Sequence, residues 1–220
     1  FQDGSGRDIG AVVRNHNQVY EPDIGQYDDQ KEVYAACAAA CLYRKVIFDK
    51  LGGLNEEYFM YYEDVDISER ARMIGYKIFY QPKAEVRHMH ALSSKEWSPF
   101  FIYNVEKGRL LHTFFNFPFY VFINEYLKFL KQIFIMILWF VLTGRLYKIS
   151  KAFILQGKNK TKNGSNPGKL NQYIQYLKVA GFFTVKFPIL LIYRNQQNKM
   201  LSKDAIQNNY DSIVKGEWYF

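Results

Sequence analysis

Tyr61-Tyr62-Glu63-Asp64-Val65-Asp66-Ile67-Ser68-Glu69-Arg70 is the stretch on which the reading of this chain turns. It places three carboxylates within four residues, directly behind a run of aromatics and at the point where a helical pattern begins. Ile67, Ala71 and Ile74 recur at helical spacing, Asp66 and Glu69 stand four and three residues ahead of Arg70 and Arg72, and Gly75 supplies the stop. Glu63 and Asp64 are therefore expected in the first turn of a helix. There the helix dipole and free backbone N–H groups favour an ionised carboxylate, which holds an Asp ready to accept a proton at neutral pH. The plainer reading of the same spacing makes Asp64 an N-cap and Asp66 a dipole partner.

The flanking sequence is ordered on both sides. Downstream, Tyr76 to Tyr80 alternates like a strand, Gln81-Pro82 breaks it, and Ala84 to His88 alternates again before Met89-His90. Upstream, Ala35 to Leu42 is a run of small apolar residues, and Arg44 to Leu51 reads as a helix closed by Gly52-Gly53. By propensity alone the alanine-rich run is helical.

Residues 33–44 spell V-Y-A-A-C-A-A-A-C-L-Y-R, residues 48–70 F-D-K-L-G-G-L-N-E-E-Y-F-M-Y-Y-E-D-V-D-I-S-E-R, and residues 75–88 G-Y-K-I-F-Y-Q-P-K-A-E-V-R-H. In this order and spacing they resemble the second half of the catalytic domain of family 2 glycosyltransferases, especially the rhamnosyltransferase-like members that build bacterial cell-surface polysaccharides. The resemblance is close over residues 20–115 and looser beyond. It implies the C-terminal half of a GT-A, Rossmann-like α/β fold, with residues 35–42 as a buried strand or extended segment beneath the acceptor site.

The resemblance also implies a chemistry. Asp64, the second acid of the pair, would be the catalytic base that deprotonates an acceptor hydroxyl as it attacks the anomeric carbon of a nucleotide-diphosphate sugar. A single in-line displacement of this kind inverts configuration. Glu63, Tyr62 and Asp66 are expected around the acceptor, the last two on sequence proximity only. His88 matches the family histidine near the diphosphate, which often ligates a divalent cation, Mg or Mn; His90 is the weaker match. The family's N-terminal nucleotide-binding half, with its Asp-x-Asp, has no counterpart here, since Asp28-Asp29 lies in a segment resembling a loop downstream of the metal site. The expectation is a C-terminal fragment that carries the base and the acceptor side and is inactive alone.

Charge divides the chain. Residues 1–100 hold 12 Lys+Arg against 16 Asp+Glu, residues 101–220 hold 17 against 5, and the net of −4 and +12 gives the overall +8. Residues 1–115 read as the catalytic part and 116–220 as a basic, aromatic helical tail with a flexible linker at 156–172. In the tail, Phe117 to Leu130 is punctuated by Asn124, Glu125 and Lys128, and Ile133 to Leu142 is bracketed by Lys131, Arg145, Lys148 and Lys151. A second element, Tyr173 to Tyr193, carries Lys178 and Lys186 and ends at Arg194. The uninterrupted apolar run is about half the roughly 20 residues that cross a bilayer, so an in-plane helix is expected. Trp139, Tyr147, Tyr173 and Tyr176 would suit the headgroup zone, and the lysines anionic lipid. Such a tail fits peripheral attachment to the cytoplasmic face of the plasma membrane, where a lipid-linked or polysaccharide acceptor would be met.

Other classes are weaker fits. The basic residues are scattered around apolar runs without a zinc-finger, ribonucleoprotein or helix-turn-helix signature, which argues against nucleic acid as a partner. Cys37 and Cys41 with His88 and His90 would make a zinc set, but two cysteines in a small-residue run are more often packing residues. Nothing points to a disulfide framework, and no internal repeat or signal peptide is evident. The sequons at Asn159 and Asn163 are read as accidental. The rival from another class is a non-catalytic membrane-docking module that keeps the family shape.

Overall fold

The computed structural model describes residues 28–86, 95, 97–144 and 169–215. The described part is mixed α and β and rich in helix. Its elements run β1 (Lys31–Val33), α1 (Lys45–Lys50), α2 (Glu63–Met73), β2 (Ile78–Tyr80), α3 (Pro99–Asn116), α4 (Phe119–Thr143), α5 (Lys169–Met200) and α6 (Lys203–Val214). The described residues fall into two compact units, one drawn from residues 1–90 with 201–220 and one from residues 91–200.

In the first unit β1 and β2 pair antiparallel, Glu32 opposite Phe79. Glu32 also meets Arg72 and Lys77 at 3.1 Å each, tying the ribbon to α2. α1 closes as expected at Gly52 and Gly53, whose φ of 75° and 77° suits glycine. A Cβ on Gly53 would also press on the Phe48 ring at 3.3 Å. α2 ends on Gly75 (φ 91°), with its N–H bonded to Arg72 O and that of Tyr76 to Ala71 O, which satisfies two end carbonyls. The predicted stripe Ile67, Ala71 and Ile74 packs against Ile47, Phe48 and Leu51 of α1 and its end. α6 starts at Ser202, whose hydroxyl accepts the Ala205 N–H at 3.0 Å, buries Ile206 and Ile213, and packs with α2.

Two local expectations here are overturned. Ala35 to Leu42 is neither the helix that propensity gives nor, beyond Ala35, the buried segment that the resemblance implies: Tyr34 and Ala35 are buried, the chain turns at Ala38 and Ala39, Ala40 N–H bonds back to Cys37 O, and Ala38 to Ala40 and Leu42 are exposed. Its amides are taken by side chains of α2 instead of by a helical ladder. Ala84 to Val86 is not a strand, and all three residues are exposed, leaving no buried face to fix one; Arg87 and His88 lie outside the described residues.

The second unit is helical. Ser98 caps α3 by accepting the Phe101 N–H at 3.1 Å, with Pro99 at the first helical position. Phe114, Phe115, Phe122, Phe129, Tyr176 and Phe183 are nearly inaccessible and meet mostly edge to face, forming the core of α3, α4 and α5. At the α3–α4 break, Arg194 Nη2 donates to Phe117 O at 2.9 Å and Gln197 Nε2 to Phe115 O at 3.2 Å, satisfying helix-end carbonyls.

The tail differs from its expected form. Phe117–Leu130 and Ile133–Leu142 are not separate pieces: α4 is one helix of 25 residues, and α5 extends to 32 residues through Pro188. Both are long and apolar enough, by length and composition, to cross a membrane, with only 17% and 22% of their most apolar windows buried. Counting the apolar run missed this because Asn124, Glu125 and Lys128 interrupt the composition and not the helix. Trp139 is 45% exposed, whereas Tyr173 and Tyr176 are core residues and do not face outward; Tyr147 lies outside the described residues. α3, which precedes residue 116 almost entirely, belongs to this unit, and α6 to the first.

Candidate active site

α2 is unusual in burying six successive residues, Val65 to Arg70, so polar side chains line its inner side and must find partners there. Asp66 and Arg70 meet at 2.7 Å, both almost wholly buried. Arg70 also donates to Leu51 O at 2.7 Å and Gly53 O at 2.9 Å, while Tyr58 OH donates to the second Asp66 oxygen at 3.2 Å. Asp66, expected at the acceptor, therefore stands elsewhere: with no exposed surface and both oxygens engaged, it anchors the end of α1 to α2. Glu69 receives the hydroxyl of buried Tyr34, which in turn accepts from Asn209 Nδ2 of α6 at 3.0 Å. Burial, and after it the Glu69 carboxylate, pushes the Tyr34 phenol far up, so it stays a donor.

Asp64 lies at the opposite edge, half-buried in the first turn. One carboxylate oxygen accepts the Ala38 N–H at 3.0 Å and the other the Val65 N–H at 2.8 Å. Both donors favour the ionised form. Two residues before Ala38, the Ala36 N–H is held by Ser68 Oγ at 3.1 Å, so the segment 36–38 is pinned to α2 at successive turns. Tyr62, half-buried, takes the helix-cap position with φ 73°, and its carbonyl receives the Asp66 N–H at 2.9 Å.

Glu63 has one oxygen shielded from solvent without a protein partner. Burial raises its pKa, and the charges of Asp64 and Asp66 add to this against a backbone hydrogen bond that lowers it. Tyr43 is raised too, by burial first, then by its hydrogen bond and charge coupling with Cys41 and by the fields of Asp64 and Glu63. Cys41 and Tyr43 thus share the acid pair's surroundings. Spacing alone gave no signal of the Ala38 amide or of Tyr43, because both reach Asp64 across more than 20 residues of chain.

Adjacent carboxylates in unlike environments suit proton transfer: Asp64 is charge-stabilised by two amides, Glu63 is biased toward its protonated form. His88 and His90 lie outside the described residues. Among the described residues no three His, Cys, Asp or Glu side chains gather as a cation site. Cys37 and Cys41 are half-buried and form no disulfide.

A region of the chain is glycosyltransferase-like. It is 45% identical over 53 residues, 24% of this chain, to N-acetylglucosaminyl-diphospho-decaprenol L-rhamnosyltransferase of Mycobacterium tuberculosis, in two strains. It is 38% identical over 90 residues, 39% of this chain, to the uncharacterized protein y4gI of Sinorhizobium fredii. The matches span 17% of the mycobacterial enzyme and 10% of the Sinorhizobium protein. No family model and no solved structure matches.

Proposed function

We propose that these residues form the acceptor-side part of an inverting, GT-A type glycosyltransferase that moves a sugar from a nucleotide-diphosphate donor to a lipid-linked glycan. The observation that carries the reading is Asp64, half-exposed in the first turn of α2 and gripped by the Ala38 and Val65 amides. The short identity to a rhamnosyltransferase supports the reaction class. In this reading Asp64 takes the proton of the attacking hydroxyl, and Glu63 and Tyr62 border the acceptor. Both amides hold the Asp64 oxygens in a fixed orientation, so little reorganisation accompanies proton transfer. A donor-binding half and a divalent cation, Mg or Mn, complete the site, with His88 as the ligand from this part; the cation would offset charge on the departing diphosphate.

The reading places the enzyme on the cytoplasmic face of the membrane. Support comes from the mostly exposed apolar windows of α4 and α5 and from the cationic residues around them. A full-length protein assayed with nucleotide-diphosphate-L-rhamnose and an N-acetylglucosaminyl-diphospho-polyprenol should give a glycosylated lipid. Absence of transfer to this acceptor and to other lipid-linked sugars, from a panel of nucleotide sugars, would favour the non-catalytic docking module, for which the same exposed helices also speak.

A further inference from the structure

We propose that Phe59 is a stacking subsite for a pyranose ring of the acceptor, pushed outward by a strained turn just ahead of Asp64; the inference rests on the glycosyltransferase reading. Met60 N–H donates to Tyr58 O at 2.8 Å across Phe59, whose φ is 63°. That is the rare, strained form of the γ-turn. Tyr61 and Tyr62 follow with φ of 68° and 73°. Three bulky residues out of four thus occupy backbone space that glycine would enter freely. Such outliers persist where the surroundings over-determine them, and they gather at ligand-binding positions.

The surroundings here are firm. Tyr58 is wholly buried and bonded to Asp66, and Tyr62 opens α2, so both ends of the segment from Tyr58 to Tyr62 are fixed. Between them Phe59 is 72% exposed. It stands five residues from Asp64, within about 18 Å even for an extended chain. A ring without a polar atom recognises an apolar face, and a pyranose offers one through its C–H groups while its hydroxyls remain free for Asp64 and Glu63. Glu56, Glu57, Glu63 and Asp64 flank the turn, which disfavours an anionic lipid surface as the occupant. One exposed ring beside half-buried neighbours is also too small a patch for a stable protein interface.

The test uses the full-length protein with Phe59→Gly, Phe59→Leu and Phe59→Trp. Thermal melting is read alongside binding of a short-chain N-acetylglucosaminyl-diphospho-lipid and of anionic phospholipid vesicles. The glycine variant should melt no lower than wild type, because strain is released, and bind the glycolipid about tenfold more weakly. Leucine should share the loss, tryptophan should restore binding, and vesicle binding should not change. Glycolipid binding that survives in the leucine and glycine variants overturns the subsite and leaves the enzyme reading intact. Vesicle binding that falls with the ring assigns Phe59 to lipid and overturns it equally. A wild-type protein that binds no glycolipid overturns both.

Discussion

At the scale of the residue, two carboxylates two positions apart have opposite fates. Asp64 faces the half-open edge and Asp66 the interior, because a helix turns them about 200° apart. Removing Asp66 leaves Arg70 buried and uncompensated, so Asp66→Ala should lose roughly 3–5 kcal/mol. Urea unfolding checks this, and a loss under about 1 kcal/mol would mean the pair does not anchor α1. Glu63 gives a pH signature. Its folded pKa is raised above the ordinary 4.5, so its contribution to stability is fully present below pH 4.5 and is lost as pH rises through the folded value. Wild type should therefore lose stability relative to Glu63→Gln over that upward window, as read by melting at successive pH values. A difference that stays flat with pH would contradict the assignment. The motif announced an acid site at this scale, but it could not say which acid faces outward. Asp66's fate depends on Tyr58 and on carbonyls of α1's end, which meet it only once the chain has folded.

At the scale of the element, helix stops were the most legible features, since Gly52, Gly53 and Gly75 act locally through their left-handed backbone. Ala35 to Leu42 misled propensity because its amides serve α2 side chains, a tertiary demand. α6 was unforeseen as part of the acid site's support: Asn209 reaches Tyr34 across 175 positions. Asn209→Ala should cost about 1 kcal/mol and speed hydrogen exchange at the Ala36 and Ala38 amides more than within α1. Equal protection in both proteins would remove α6 from the support of Asp64. In α4, Ile137 to Leu142 are all at least 43% exposed, which covers every face of the helix. Thr143 hides its hydroxyl on Trp139 O at 2.7 Å. The full-length protein should float with anionic vesicles, and Leu138→Glu with Val141→Glu should reduce bound protein several-fold. Unchanged flotation would point to a protein cover for this segment.

At the scale of the whole molecule, the sequence shows a boundary in charge near residue 100, whereas the compact units divide at 91 and 201. Charge follows local composition, while the units follow contacts made by helices distant in sequence, which is why α6 returns to the acidic part. The central claim is that Asp64 is a general base for glycosyl transfer, and it is tested most directly by initial transfer rates of the full-length protein and its Asp64→Asn variant at saturating donor and acceptor. Asparagine nearly preserves size and can accept one of the two amide bonds through its single side-chain oxygen, but its NH2 cannot accept the other and the group cannot take up the proton. A fall in kcat of about 10² to 10⁴, with donor affinity unchanged and a stability loss of about 1–3 kcal/mol, the size of one lost hydrogen bond, is the predicted result. Turnover within a few-fold of wild type would contradict it and take the catalytic role from Asp64.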